Sequence, residues 1–121
     1  MRKSFLHGFL FAFRGLFILI KEERNARFHL FAAFCTMGLG VLLELKPLEW
    51  TVILMCIGAV FAAEALNSAV ERLANKIHPE KDDLIRDAKD LAAAAVLVVS
   101  ISSAVIGIII YIPYFKEYLE I

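Results

Sequence analysis

The chain has 121 residues, 13 basic and 13 acidic side chains and a formal net charge of zero, and 60% of its residues are hydrophobic. A soluble domain carries roughly 45–50% apolar residues, so this composition suits a small one-domain integral membrane protein and excludes disorder, a disulfide scaffold and a secreted soluble domain. The charge balance also argues against nucleic acid as a partner.

In chain order, the first element is an N-terminal helix over about residues 3–21. Phe5, Leu6, Phe9, Leu10, Phe13, Leu16 and Phe17 recur at helical spacing, while Arg2, Lys3, His7, Arg14 and Lys21 supply a polar face. A secretory signal also begins basic and turns apolar, but here Arg14 interrupts the apolar core and no small-residue cleavage site follows. The pattern fits an amphipathic helix lying in the membrane interface better than a buried fourth helix.

Three membrane spans follow, at about 27–45, 48–74 and 87–114. The third is the clearest: every residue from Leu91 to Tyr114 is uncharged, a run longer than the about 20 residues a helix needs to cross a bilayer. Only Leu45, Lys46 and Pro47 separate the first two spans, which predicts a tight helical hairpin with Pro47 starting the second helix. Cys35 and Cys56 fall inside spans and read as small packing residues, neither a disulfide nor a metal pair. Basic residues gather before the first span (Arg2, Lys3, Arg14, Lys21, Arg24, Arg27) and between the second and third (Arg72, Lys76, Lys81, Arg86, Lys89). The hairpin has only Lys46 and the tail only Lys116, so the positive-inside rule places the N-terminus and the second connection in the cytoplasm.

The informative residues are those that do not belong in lipid. Glu64 and Asn67 sit in the second span with Glu71 further along, and at 3.6 residues per turn the three fall within about 60° of one another. Glu71 alone also reads as part of a solvated helix end. Glu64 does not, because Ala62, Ala63, Ala65 and Leu66 surround it and an intramembrane acid is costly. Lys89 and Asp90 re-enter the membrane on the same side, and Glu22 and Glu23 close the surface helix there. After Asp90, the small residues Ala92 to Ala95 let a neighbouring helix approach closely. Carboxylates hold Mg²⁺ while phosphates complete its shell, a lysine offers a point charge to phosphate, and a desolvated carboxylate accepts a proton from a hydroxyl. These are the parts of phosphoryl transfer. The chain has no phosphate-binding glycine loop of either familiar nucleotide fold, so the residues alone define a membrane-interface site for a cation or metal-phosphate ligand.

The segment Glu64-Ala-Leu-Asn67-Ser-Ala-Val-Glu71, with Ala88-Lys89-Asp90-Leu-Ala-Ala-Ala-Ala-Val-Leu97 after a short polar connection, resembles the prokaryotic diacylglycerol kinase family. Phe13-Arg14-Gly15-Leu16 and Glu23-Arg24-Asn25 resemble its Gram-positive branch, whose members prefer undecaprenol. The resemblance runs over essentially the whole chain. It implies an all-α homotrimer of three-span subunits in the bacterial inner membrane, each with an N-terminal surface helix. It also implies transfer of the γ-phosphoryl of MgATP to a lipid alcohol, undecaprenol or diacylglycerol, at the cytoplasmic surface. Carried over by position, Glu64 is the catalytic base, Asn67 positions the reacting groups, and Glu23 and Glu71 hold Mg²⁺ and nucleotide. Lys89 and Asp90 contact ATP, and Glu80 faces the nucleotide from the connecting loop. The resemblance also implies a site shared between subunits. The chain departs from the family pattern in three places. Asn75 stands where aspartate is usual one turn after Glu71, alanines fill the stretch that commonly carries a glycine, and His78-Pro79 reshapes the loop.

A reading from another class is a non-enzymatic membrane protein, an assembly factor or a transporter subunit with its acids in a proton relay. Lys89-Asp90 separates the two, since a relay needs no phosphate-binding lysine.

Overall fold

One extended residue, Glu23 (φ −104°, ψ 115°), breaks what would otherwise be a continuous N-terminal helix. The computed structural model describes residues 4–77 and 82–121, in which α1 (Phe5–Glu22) is followed by α2 (Arg24–Leu43), α3 (Pro47–Ile77) and α4 (Asp83–Tyr118). Breaking a helix strands the carbonyls of its last turn. Arg27 meets that need: its Nη1 donates to the carbonyls of Ile20 (3.1 Å) and Lys21 (2.8 Å), tying the end of α1 to the start of α2. Apart from Leu19, the residues of α1 are exposed or half-buried, and Phe5, Leu6, Phe9, Leu10, Phe13 and Phe17 stand uncovered by the rest of the subunit.

The hairpin is as short as expected. Glu44 adopts the left-handed conformation (φ 57°, ψ 56°), and Leu45 N–H donates to the Gly40 carbonyl (3.1 Å) while Glu44 N–H donates to that of Val41 (3.3 Å). This is a Schellman closure, with glutamate at the left-handed position that glycine usually takes. Pro47 opens α3, and Glu49 Oε1 accepts from the Lys46 N–H (2.9 Å), the carboxylate half of a capping box. Asp82 caps α4 by accepting from Ile85 N–H (3.0 Å).

α2, α3 and α4 are each long and apolar enough to cross a membrane. At 1.5 Å per residue α3 and α4 reach about 46 and 54 Å, well beyond a hydrocarbon core of about 30 Å. Both run past the expected ends at residues 74 and 114, and α4 continues through Pro113. Apolar runs mark only the lipid-facing length, whereas Glu, Lys, Arg and Leu keep a helix going into water. α2 likewise begins at Arg24 rather than near residue 27, because the break costs a single residue.

α3 packs most extensively on α4, with α2 against α3. The buried residues of α2 are small: Ala26, Ala33 and Gly40, one every two turns. Small residues let helices pack closely where lipid tails supply no hydrophobic drive. Away from the α1 junction, Leu45, Ile53 and Tyr111 form a buried cluster joined by Trp50 and Tyr114. Tyr111 Oη donates to the Thr36 carbonyl of α2 (2.6 Å), and Tyr114 hydrogen-bonds Glu49. Gly40 makes the Tyr111 approach possible: a Cβ there would lie 2.9 Å from Leu45 Cδ1 and 3.0 Å from both Trp50 Cη2 and Tyr111 Oη. Cys35 is exposed and Cys56 half-buried, and both are free thiols.

Candidate functional site

At the opposite end of the bundle the polar residues of α3 form one stripe. Residues 64, 68, 71 and 75 lie within about 60° around the helix axis and span about 16 Å along it. Three contacts mark its length, each to a different helix or junction.

The first is at Glu64, whose residue is only 3% exposed. His29 of α2 places Nε2 3.3 Å from Oε1, but the contact is not aligned as a hydrogen bond, and that oxygen is without a hydrogen-bond partner among the described residues. A buried carboxylate left without a full set of partners is an expensive arrangement, of the kind retained for chemistry.

One turn on, Ser68 Oγ donates to Glu23 Oε1 (3.0 Å). The extended backbone at Glu23 presents it here, at the junction of α1 and α2. Arg72 joins the same cluster: its Nε donates to Ser68 Oγ (3.3 Å), and its Nη2 stands 3.6 Å from Glu22 and 3.8 Å from Glu23. Both acids are partly exposed, so the pairing is worth at most about 1 kcal/mol and is readily exchanged for another cation.

The third contact lies further out, where Lys89 Nζ of α4 donates to Asn75 Oδ1 (3.0 Å). The acceptor is a neutral amide oxygen, so the ammonium is held without a carboxylate to offset its charge at this contact.

Of the residues singled out in the sequence, Glu23, Glu64 and Lys89 therefore all reach the stripe directly or through a neighbour. Glu71 is exposed, between Ser68 and Asn75 on the same face, Asn67 is half-buried at its edge, and Asp90 is exposed beside Lys89. Glu80, together with His78-Pro79, lies outside the described residues. His29, Ser68 and Arg72 join the site in the structure without standing out as site residues in the sequence. His29 gave one usable signal, a polar side chain interrupting an apolar run. Ser68 and Arg72 gave another, lying at i+4 and i+8 from Glu64.

Three apolar helices and a carboxylate-lined stripe ending in a lysine define a multi-pass membrane protein with a polar site at one end of its bundle. The chain belongs to the prokaryotic diacylglycerol kinase family, whose model matches residues 10–111. It is 40% identical over 111 residues to the undecaprenol kinase of Bacillus subtilis, covering 92% of this chain and 87% of that one. A diacylglycerol kinase of a Synechocystis species is 28% identical over 111 residues, covering 91% of this chain and 63% of the relative. Membership makes the protein a lipid kinase and sets aside the non-enzymatic reading.

Proposed function

We propose that the protein transfers the γ-phosphoryl group of MgATP to undecaprenol, with diacylglycerol as the second candidate acceptor, at the cytoplasmic face of the membrane. The observation that carries this reading is the stripe on α3, which leads from a buried carboxylate at Glu64, past the carboxylate of Glu23, to the ammonium of Lys89. Undecaprenol is placed first because the Bacillus undecaprenol kinase is the more similar of the two relatives.

In this reading Glu64 accepts the proton of the lipid hydroxyl as its oxygen attacks the γ-phosphorus. A carboxylate is the kind of acceptor this step needs, and at 3% exposure Glu64 is shielded from water. Asn67, at the edge of the stripe, supplies amide donors and an acceptor that orient the hydroxyl and the phosphate. Lys89 offers its ammonium to phosphate oxygens, with Asp90 and Glu80 as further contacts to the nucleotide.

The carboxylates suit a magnesium ion. Mg²⁺ is a hard cation commonly held through one or two protein carboxylates, with phosphates and water completing its shell. Glu23 and Glu71 provide that number of oxygen donors: Glu23 is fixed by Ser68, and Glu71 stands exposed three residues further along the same helix. When bound, the ion neutralises phosphate charge during transfer. Arg72 offers Glu23 a positive charge that the ion would replace.

The apolar side of α1, uncovered within the subunit, fits a helix lying in the membrane interface. The functional unit is a homotrimer with sites shared between subunits, since so thin a bundle leaves the outer part of the stripe open to solvent or to a neighbour. Transfer of label from γ-labelled ATP in mixed micelles, with undecaprenol and diacylglycerol offered separately, tests the reading. Labelled undecaprenyl phosphate at the higher rate supports it, and labelling of neither lipid overturns it.

A further inference from the structure

We infer that His29 is a positioning residue for this reaction: its Nε2–H hydrogen-bonds Glu64 Oε1 when substrate is bound and turns Oε2 toward the lipid hydroxyl. The inference rests on the reading of Glu64 as the base.

Two features of the structure carry it. The first is the unpaired oxygen. Glu64 Oε1 is buried and without a hydrogen bond among the described residues, and a buried ionised oxygen strongly favours any donor within reach. His29 Nε2 is that donor, 3.3 Å away and misaligned only in angle. The χ2 torsion of histidine is broad and soft, so a modest ring rotation completes the bond. Hydrogen bonds of catalytic groups are commonly long without substrate and tighten when it binds. Donation to a carboxylate requires the tautomer with the proton on Nε2.

The second feature is where the ring stands. His29 also lines a cavity of about 550 Å³ between α2, α3 and α4, whose walls include Ala32, Val60, Phe61, Ile101 and Ala104. The imidazole thus stands beside both the carboxylate and a largely apolar space. A leucine would fill the same volume and leave Oε1 with no donor, freeing the carboxylate to turn. Misplacing a reacting group by about 1 Å can cost about a hundredfold in rate.

The test uses the full-length protein in mixed micelles, with variants His29→Leu, His29→Gln and His29→Asn. The glutamine amide reaches about as far as Nε2 and can donate to Oε1 but cannot carry a proton, whereas asparagine is too short. We expect His29→Leu to lower kcat by at least about tenfold with the KM for ATP within twofold, His29→Gln to stay within threefold of the parent, and His29→Asn to resemble His29→Leu. The double variant Glu64→Gln/His29→Leu is expected to be no slower than Glu64→Gln alone, because the histidine acts only through the glutamate. An unchanged kcat in His29→Leu overturns the inference, as does His29→Gln as slow as His29→Leu, or losses that multiply in the double variant. If His29→Leu does not assemble, the comparison of His29→Gln with His29→Asn decides, and equal rates overturn it. An active Glu64→Gln would remove the base itself, whereas an inactive Glu64→Gln beside a fully active His29→Leu removes only the role of His29.

Discussion

Replacing Glu64 by glutamine separates chemistry from folding more cleanly than any other change in this chain. The residue is 3% exposed and glutamine has nearly the same shape, so the substitution opens no cavity in the packing around α3. It also removes a buried charge, one oxygen of which has no hydrogen-bond partner among the described residues, and so relieves desolvation. Stability should therefore hold or rise. Activity should collapse, because an amide cannot accept the proton. Loss of a general base costs about 10²- to 10⁴-fold, or about 2.7–5.4 kcal/mol at 1.36 kcal/mol per tenfold. Glu64→Asp keeps a base but withdraws it toward the helix, and should fall between the two. The assay pairs initial rates of label transfer in mixed micelles with thermal melting of the detergent-solubilised protein. Glu64→Gln active within a few-fold of the parent would refute the assignment. A variant that melts well below the parent would instead refute the argument that the carboxylate is buried at a cost.

Other changes probe other parts of the molecule. Glu23→Ala and Glu71→Ala should each raise the Mg²⁺ concentration giving half-maximal rate at saturating ATP, and an unchanged midpoint in both would reduce these acids to a solvated face. Mixing inactive Glu64→Gln subunits with inactive Lys89→Ala subunits should restore part of the activity if sites are shared. No recovery at any ratio, with co-assembly shown by cross-linking, would place both residues in one subunit's site. Gly40→Ala should destabilise the fold by about 1–3 kcal/mol, read as a lower melting temperature, because its Cβ would meet Leu45, Trp50 and Tyr111 at 2.9–3.0 Å. Melting unchanged by the added methyl would mean that those side chains yield freely.

Composition and hydropathy determined a good deal by themselves: three spans, the hairpin with Pro47 at the head of α3, and the stripe of Glu64, Asn67 and Glu71 on one helix. These are properties of one segment at a time, set by apolar length, proline and the helical repeat. Position-specific resemblance added the family, and with it the roles proposed for Glu23 and Lys89. Contacts between segments were a different matter. Glu23 meets Ser68 across 45 residues, Lys89 meets Asn75 across 14, and Tyr111 meets Thr36 across 75. Such pairings depend on how each helix is rotated about its axis and on where its neighbour's axis lies. The one-residue break at Glu23 and the close approach of side chains over Gly40 bear on both. In the sequence, Asn75 read only as a lost carboxylate, and His29 only as an interruption of an apolar run. Packing made the first the acceptor for Lys89 and set the second against the buried acid, because in a helix bundle the neighbour of a side chain is chosen by the helices that face it rather than by the residues beside it in the chain.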